Sequence, residues 1–117
     1  MEMAQLIRLA QEAARGGEVP IAAAVVAADG TVLATAHNLV ETRSDATAHA
    51  ELLALQAAMA QRGSKYLADC SLWVTLEPCA MCAQAASLSK IRQIIFGAYD
   101  PKGGGVEHGA RVFSHPT

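Results

Sequence analysis

The chain has 117 residues, of which 52% are apolar, enough to build one domain around a single core. The formal net charge is −2 and the pI is near 6.0, which argues against broad non-specific binding to nucleic acid but allows a local basic patch. No apolar run reaches the roughly 18 residues of a membrane span, and the N-terminus lacks a secretory signal. With three cysteines as well, we expect a cytoplasmic protein with one domain over residues 1–117.

Periodicity and turn residues define the predicted elements. Helical spacing and β-type runs indicate, in chain order, a helix over 3–14, strands over 21–28 and 31–36, a polar loop over 37–47, a helix over 48–61, a strand over 71–76, a helix over 79–88 and a strand over 91–96. Asp29-Gly30 predicts a hairpin turn between the first two strands. Pro78 is expected at the first position of the third helix, and the continuous apolar run of the last strand is typical of a buried strand.

This order of elements predicts an α/β fold. It is a three-layer α-β-α sandwich in which helices cover both faces of a mixed sheet. The last two strands are expected to be parallel and joined by a right-handed crossover through the helix over 79–88.

Two short motifs carry the chemistry of the chain. His49-Ala50-Glu51 is followed by Pro78-Cys79-Ala80-Met81-Cys82, and H-x-E followed by P-C-x-x-C is the signature of the zinc-dependent deaminases. Cys79 and Cys82 are three residues apart and can share one face of a helix. His49 and Glu51 are only two apart, so they can converge only at the first turn of a helix.

The number of ligands separates a catalytic zinc site from a structural one. A structural site has four protein ligands, whereas a catalytic site has three and leaves a position for water. His49, Cys79 and Cys82 make three, and zinc lowers the pKa of bound water toward about 7. Glu51 can then shuttle protons while a C–N bond of an amidine is hydrolysed and ammonia is released. Cys70 has no metal-type spacing and is interpreted as a buried, inert thiol.

Other interpretations of these motifs stay open at this stage. A C-x-x-C pair can be a redox pair, or half of a structural zinc site completed by a second subunit. The chain could also be a non-catalytic zinc-binding module, although such a module has no use for Glu51. His37, His108 and His115 lack paired ligands and are interpreted as ordinary surface or loop histidines.

Four stretches of the chain resemble the bacterial tRNA adenosine deaminases of the cytidine deaminase superfamily. The resemblance extends from about Leu6 to Pro116 and is carried by Val19-Pro20, Thr47–Glu51, Val74–Ala83 and Phe96–Gly104. The zinc motifs are shared across the superfamily. The Asp100-Pro101-Lys102-Gly103-Gly104 segment is narrower and favours the tRNA enzymes.

The resemblance implies a function and a set of site residues. The family converts adenosine to inosine at the wobble position of the tRNA anticodon loop, as a homodimer with one Zn²⁺ per chain. By resemblance, His49, Cys79 and Cys82 are the metal ligands and Glu51 is the proton shuttle. Asn38 matches the asparagine that contacts the flipped-out base. The backbone amide of Cys79 would lie near the developing tetrahedral oxygen.

Several features of the chain differ from the family pattern. Ala22 and Gln84 stand where the family usually has glycine, and Lys90 replaces a usual arginine. The family continues with a final strand and a basic C-terminal helix, so we expect these to be missing after Thr117. That absence and the pI favour an alternative substrate, a free nucleobase or nucleoside such as guanine, cytosine or cytidine. A dimer is also expected because the small apolar residues Ala83, Ala85 and Ala86 would need cover.

Overall fold

The computed structural model describes residues 1–108 and 110–114, so the interpretation of His115 and the end of the resemblance at Pro116 lie outside the described residues. The elements are α1 (Met3–Arg15), β1 (Ala22–Val26), β2 (Val32–His37), α2 (Val40–Arg43), α3 (Ala50–Arg62), β3 (Ser71–Val74), α4 (Ala80–Leu88), β4 (Gln93–Phe96) and a 3-10 turn (Val112–Ser114). Each predicted helix and strand is present.

The four strands form a mixed sheet in the order β2-β1-β3-β4. β1 is antiparallel to β2 and to β3, and β3 is parallel to β4. The predicted hairpin and the predicted parallel pair are therefore confirmed. β4 is not the buried strand that its sequence predicts: Gln93 is exposed and residues 94–96 are half-buried, because β4 lies at an edge of the sheet.

Side chains of β1 alternate between two hydrophobic layers. Ala23 and Val25 face α3 and α4, in a cluster that also contains Leu55 and Leu72. The other face of β1 packs against α1, in a second cluster of buried residues: Leu6, Ala10, Ala22, Ala24 and Val26. Because successive side chains of a strand point to opposite faces, one short strand supports both helical layers. The predicted three-layer sandwich is confirmed.

The segment predicted as a loop over residues 37–47 contains the short helix α2. The buried carboxylate of Glu18 accepts hydrogen bonds from the backbone N–H of Glu41 (3.0 Å), the backbone N–H of Thr42 (2.7 Å) and the Thr42 hydroxyl (2.6 Å). A carboxylate at a helix N-terminus satisfies N–H groups that have no partner within the helix. The prediction of a loop was wrong here because this stabilising group lies far away in the sequence.

The start and end of the other helices also refine the predictions. Helix α4 begins at Ala80 with Cys79 as its N-cap, so Pro78 precedes the cap and is not the first helical residue. Helix α3 ends at Gly63, whose φ of 69° is left-handed backbone that glycine adopts without a steric penalty. Arg62, the last residue of α3, forms an ion pair with Asp69, which ties the end of the helix to the segment before β3.

The small residues of α4 are covered by their own chain. Ala83 and Ala86 are fully buried within the chain, and Ala85 is half-buried. The expectation that a partner subunit must cover these residues was therefore wrong for Ala83 and Ala86. Gln84 is exposed, and Ala22 is buried within β1. No helix within residues 1–108 and 110–114 is long and apolar enough to cross a bilayer.

Candidate metal centre and active site

The starts of α3 and α4 bring the two motifs together. His49 is the N-cap of α3 and Cys79 is the N-cap of α4, and Cys82 lies one turn into α4. Glu51 is in the first turn of α3, where the sequence predicted that it could approach the same point as His49. The positive ends of both helices therefore face one cluster, which favours thiolates and other anionic ligands there.

The geometry of this cluster fits a tetrahedral zinc ion. His49 Nδ1 lies 3.6 Å from Cys79 Sγ and 3.7 Å from Cys82 Sγ, and the three candidate ligand atoms all lie within 4.8 Å of one another. Zinc bonds of about 2.3 Å to sulfur and about 2.0 Å to nitrogen at a tetrahedral angle would separate N from S by about 3.5 Å, close to both observed distances. Among the described residues, no fourth His, Cys, Asp or Glu joins this cluster. The side chains could hold a metal and leave one position free.

Glu51 contributes a buried carboxylate with an unused oxygen. Its residue is 4% exposed, and Oε1 is the one buried side-chain polar atom in the described part of the chain that lacks a hydrogen-bond partner. Removal from water raises the pKa of Glu51, and the neighbouring Cys79 adds to this effect. An unpartnered buried carboxylate oxygen is costly unless water, metal or substrate satisfies it. The arrangement therefore suits a group that exchanges protons with a bound ligand.

The two cysteines of the cluster have different acidities in the absence of metal. Hydrogen bonding with Cys82 and the neighbouring His49 together lower the pKa of Cys79 to about 5, against the opposing effect of burial. The same hydrogen bond and burial raise the pKa of Cys82. Cys70 lies outside the cluster, fully buried and free, and burial raises its pKa, as expected for an inert thiol.

Asn38 lies directly after β2 and supports the start of α3. It is 5% exposed, and its Oδ1 accepts a hydrogen bond of 2.8 Å from the backbone N–H of Ala50, the first residue of that helix. Its own backbone N–H donates to the carbonyl of Ile21. The bond between Oδ1 and the N–H of Ala50 orients the side-chain amide of Asn38. Its NH₂ group is then left to donate a hydrogen bond to a ligand.

Glu77 also belongs to this region, although the motifs of the sequence assigned it no role. Glu77 is 2% exposed, and its carboxylate pairs with His108, whose Nδ1 lies 2.7 Å from Glu77 Oε1. His108 is thus a half-buried partner of a carboxylate and not an ordinary loop histidine. A charged residue directly after the strand predicted over 71–76 was the available signal, because a charge that becomes buried needs a partner.

Comparisons with known proteins place the chain in a family. Residues 1–98 match the family described as the cytidine and deoxycytidylate deaminase zinc-binding region. The chain is 46% identical over 111 residues to the tRNA-specific adenosine deaminase of Aquifex aeolicus, covering 95% of this chain and 73% of that relative.

Two solved structures share the fold. A structure from studies of A-to-I editing by tRNA:A34 deaminases superposes with a TM-score of 0.93 at 45% identity, covering 97% of this chain and 82% of the other. The guanine deaminase of Bacillus subtilis superposes with a TM-score of 0.79 at 34% identity, covering 83% of this chain and 62% of that one.

The fold and the metal site define a zinc-dependent hydrolytic deaminase with one Zn²⁺ per chain. The chain belongs to the cytidine and deoxycytidylate deaminase family, in which it is similar over most of its length to the tRNA-specific adenosine deaminases.

Proposed function

We propose that this protein deaminates adenosine to inosine at the wobble position of tRNA. The metal site supports deamination in general, because the same motifs serve many bases. The choice of substrate rests on the similarity to tRNA deaminases, with a TM-score of 0.93 and 45% identity against 0.79 and 34% for guanine deaminase. The expected reaction replaces the amino group of adenine with a carbonyl oxygen from water and releases ammonia.

The proposed metal ligands are His49, Cys79 and Cys82. Their N–S separations of 3.6 and 3.7 Å match a zinc site with one vacant position, and this is the observation that carries the proposal. When bound, zinc supplies a Lewis acid that makes a water molecule acidic enough to lose its proton near neutral pH.

Glu51 is the proposed proton shuttle. It accepts the proton of the attacking water at Oε1, the buried oxygen that has no protein partner. It passes this proton to the ring nitrogen, then takes the second proton of the same water and passes it to the amino group. The C–N bond then breaks, and ammonia departs as a neutral molecule. The raised pKa of Glu51 suits its first step, since a carboxylate with a raised pKa accepts a proton more readily than an ordinary glutamate does.

Asn38 is the proposed contact to the base. Its Oδ1 is held by the N–H of Ala50, which leaves the NH₂ group to donate to a base acceptor next to the metal cluster. A base in an anticodon loop is already unpaired, so moving it into such a site costs less than extrusion from a duplex. Recognition of loop shape also suits a protein with a net charge of −2.

We also propose a cytoplasmic homodimer built from one deaminase domain over residues 1–117. Leu88 is 67% exposed and lines an apolar groove between α3 and α4 with Leu52, Met59 and Ala85, which a second copy could cover. A cytoplasmic location suits thiolate ligands, which must stay reduced. A molecular mass equal to that of one chain, measured by light scattering at micromolar concentration, would contradict the proposed dimer.

The experiment that tests the substrate uses the zinc-loaded protein and an anticodon stem-loop with adenosine at the wobble position. Nuclease digestion and mass spectrometry should show inosine at that position. A stem-loop with its adenosine moved one nucleotide away should not react, and Glu51→Ala should form inosine at the wobble position far more slowly than the wild type. Absence of inosine with active, metal-loaded protein would contradict the proposed substrate.

The second candidate is deamination of a free nucleobase or nucleoside. The similarity to a guanine deaminase and the modest charge of the chain favour it. Guanine, cytosine and cytidine should each be tested for ammonia release under the same conditions. Turnover of one of them without reaction of the stem-loop would decide for this candidate, and no turnover of any substrate would indicate a non-catalytic zinc module.

A further inference from the structure

Glu77 is a buried carboxylate that the proposed chemistry does not use. Its Oε1 accepts hydrogen bonds from the backbone N–H of Asp100 (3.0 Å) and from Nδ1 of His108 (2.7 Å). Its Oε2 accepts from the backbone N–H groups of Val106 (3.2 Å), Glu107 (2.8 Å) and His108 (3.0 Å). Both oxygens of the Glu77 carboxylate therefore act as hydrogen-bond acceptors.

The residues gathered by Glu77 form one segment, residues 100–108, which we call the glycine-rich loop. The loop also bonds to itself, since the N–H of Gly104 donates to the carbonyl of Asp100 (2.9 Å). The ring of His108 stacks edge-on against Tyr99, with centroids 5.5 Å apart. A carboxylate with five donors from one segment fixes that segment more firmly than a single bond could.

The glycine-rich loop lies directly on the start of α4. The N–H of Gly105 donates to the carbonyl of Pro78 at 2.7 Å. A Cβ added at Gly105 would lie 2.5 Å from the backbone nitrogen of Ala80 and 2.9 Å from the carbonyl carbon of Cys79, which is too close for any side chain. The backbone of the loop therefore contacts residues 78–80, the stretch of backbone that carries the Cys79 side chain.

We propose that Glu77 is a positioning residue for the metal centre: by holding the glycine-rich loop on residues 78–80, it fixes Cys79 relative to His49 and Cys82. The catalytic part of this inference rests on the proposed function. A shift of about 1 Å in a catalytic group can lower the rate about 100-fold, so a residue that fixes the backbone of Cys79 affects catalysis without touching substrate.

The variant Glu77→Gln removes the charge with little change in volume. One carboxylate oxygen becomes an NH₂ group, which must face N–H donors at either position, so at least one backbone donor loses its acceptor. Glu107→Gln is the matched control, because it makes the same chemical change on an exposed side chain of the same loop. The backbone N–H that Glu107 donates to Glu77 is unaffected by this substitution.

The metal geometry is tested with Co²⁺ in place of zinc in the full chain. Glu77→Gln should still bind about one Co²⁺, as expected for a site that keeps its three ligands, but with altered d–d and thiolate charge-transfer bands. With zinc, its kcat on the stem-loop should fall about 10- to 100-fold while KM changes less. Glu107→Gln should match the wild type in spectrum and kcat.

A second variant allows the same test if Glu77→Gln does not fold. Gly105→Ala forces the loop away from Ala80 and leaves the carboxylate in place, so it should give the same kind of spectral change. Wild-type spectra and kcat in the folded variants would overturn the proposal. The cobalt spectra need no RNA, so they test the positioning role even if the stem-loop is not the substrate.

Discussion

Helices α3 and α4 each begin at a residue whose side chain belongs to the metal cluster, His49 in one and Cys79 in the other. Neither helix is capped by a hydrogen bond from its own N-cap side chain, so each start is supported from elsewhere. At α3 the support is the neutral amide of Asn38, through one bond. At α4 it is the carboxylate of Glu77, which acts through five hydrogen bonds to the glycine-rich loop.

This difference separates the tasks of the two helix starts. At α3, the residue that supports the helix is also the proposed contact to the base, and the ligand His49 is followed by the proton shuttle Glu51. At α4, the supporting residue Glu77 is buried and has no proposed contact with the base. Changes at α3 should therefore alter binding and chemistry, whereas changes at α4 should act through the metal.

The largest expected effect comes from removing a ligand on α4. Cys82→Ala should lower the zinc content from about one per chain to near zero and abolish deamination, because two remaining ligands bind zinc weakly. Metal analysis after dialysis measures this. Cys70→Ala removes a thiol that is equally buried but outside the cluster, and it should retain zinc. Full zinc occupancy in Cys82→Ala would contradict the proposed ligand set.

The next effect separates chemistry from metal binding on α3. Glu51→Ala should keep about one zinc per chain, since all three ligands remain. Its rate of inosine formation should fall about 100- to 10,000-fold, the usual contribution of a general acid–base group. A variant that stays active would rule out the proton-shuttle role.

A smaller effect tests the double role of Asn38. Asn38→Ala leaves the N–H of Ala50 without its acceptor and should cost about 1–2 kcal/mol of the free energy of unfolding, measured with urea. Asn38→Asp keeps the acceptor at the helix start, so it should retain more stability but lose the NH₂ donor and raise KM. If both variants have the stability and the KM of the wild type, Asn38 serves neither role.

The smallest effect is expected at the other end of α3. The ion pair with Arg62 lowers the pKa of Asp69 to about 2, below its ordinary value of 3.8. A carboxylate with a lowered pKa stabilises the fold above the ordinary pKa, and this contribution is lost as the pH falls toward 2. Asp69→Asn should therefore slightly lower the melting temperature at neutral pH, with the difference from wild type shrinking in acid. Zinc content and kcat should be unchanged.

Much of the fold and the metal cluster follows from local patterns. The hairpin is predicted by Asp29-Gly30 between two β-type runs, and the register of β1 and β2 confirms it. The cluster of His49, Cys79 and Cys82 was predicted because residue type and spacing restrict where a metal can sit, and their proximity is confirmed. The handedness of the β3–β4 crossover stays a prediction.

The features that were missed depend on contacts between distant residues. Helix α2 has no strong local signal, and its N–H groups are satisfied by Glu18, 24 residues before Thr42. The partners of Glu77 lie 23 to 31 residues after it. The exposure of β4 depends on its position at the edge of the sheet, which an apolar run cannot reveal.

The alanines at the centre of β1 have a practical consequence for protein engineering. Ala23 and Ala24 are both completely buried, and they face opposite layers of the sandwich. An enlarged residue at position 24 presses on α1, whereas one at position 23 presses on the layer that carries the catalytic groups. In directed evolution of this scaffold, substitutions at position 24 are therefore expected to change mainly the stability of the fold. Substitutions at position 23 are expected to change the rate of catalysis as well.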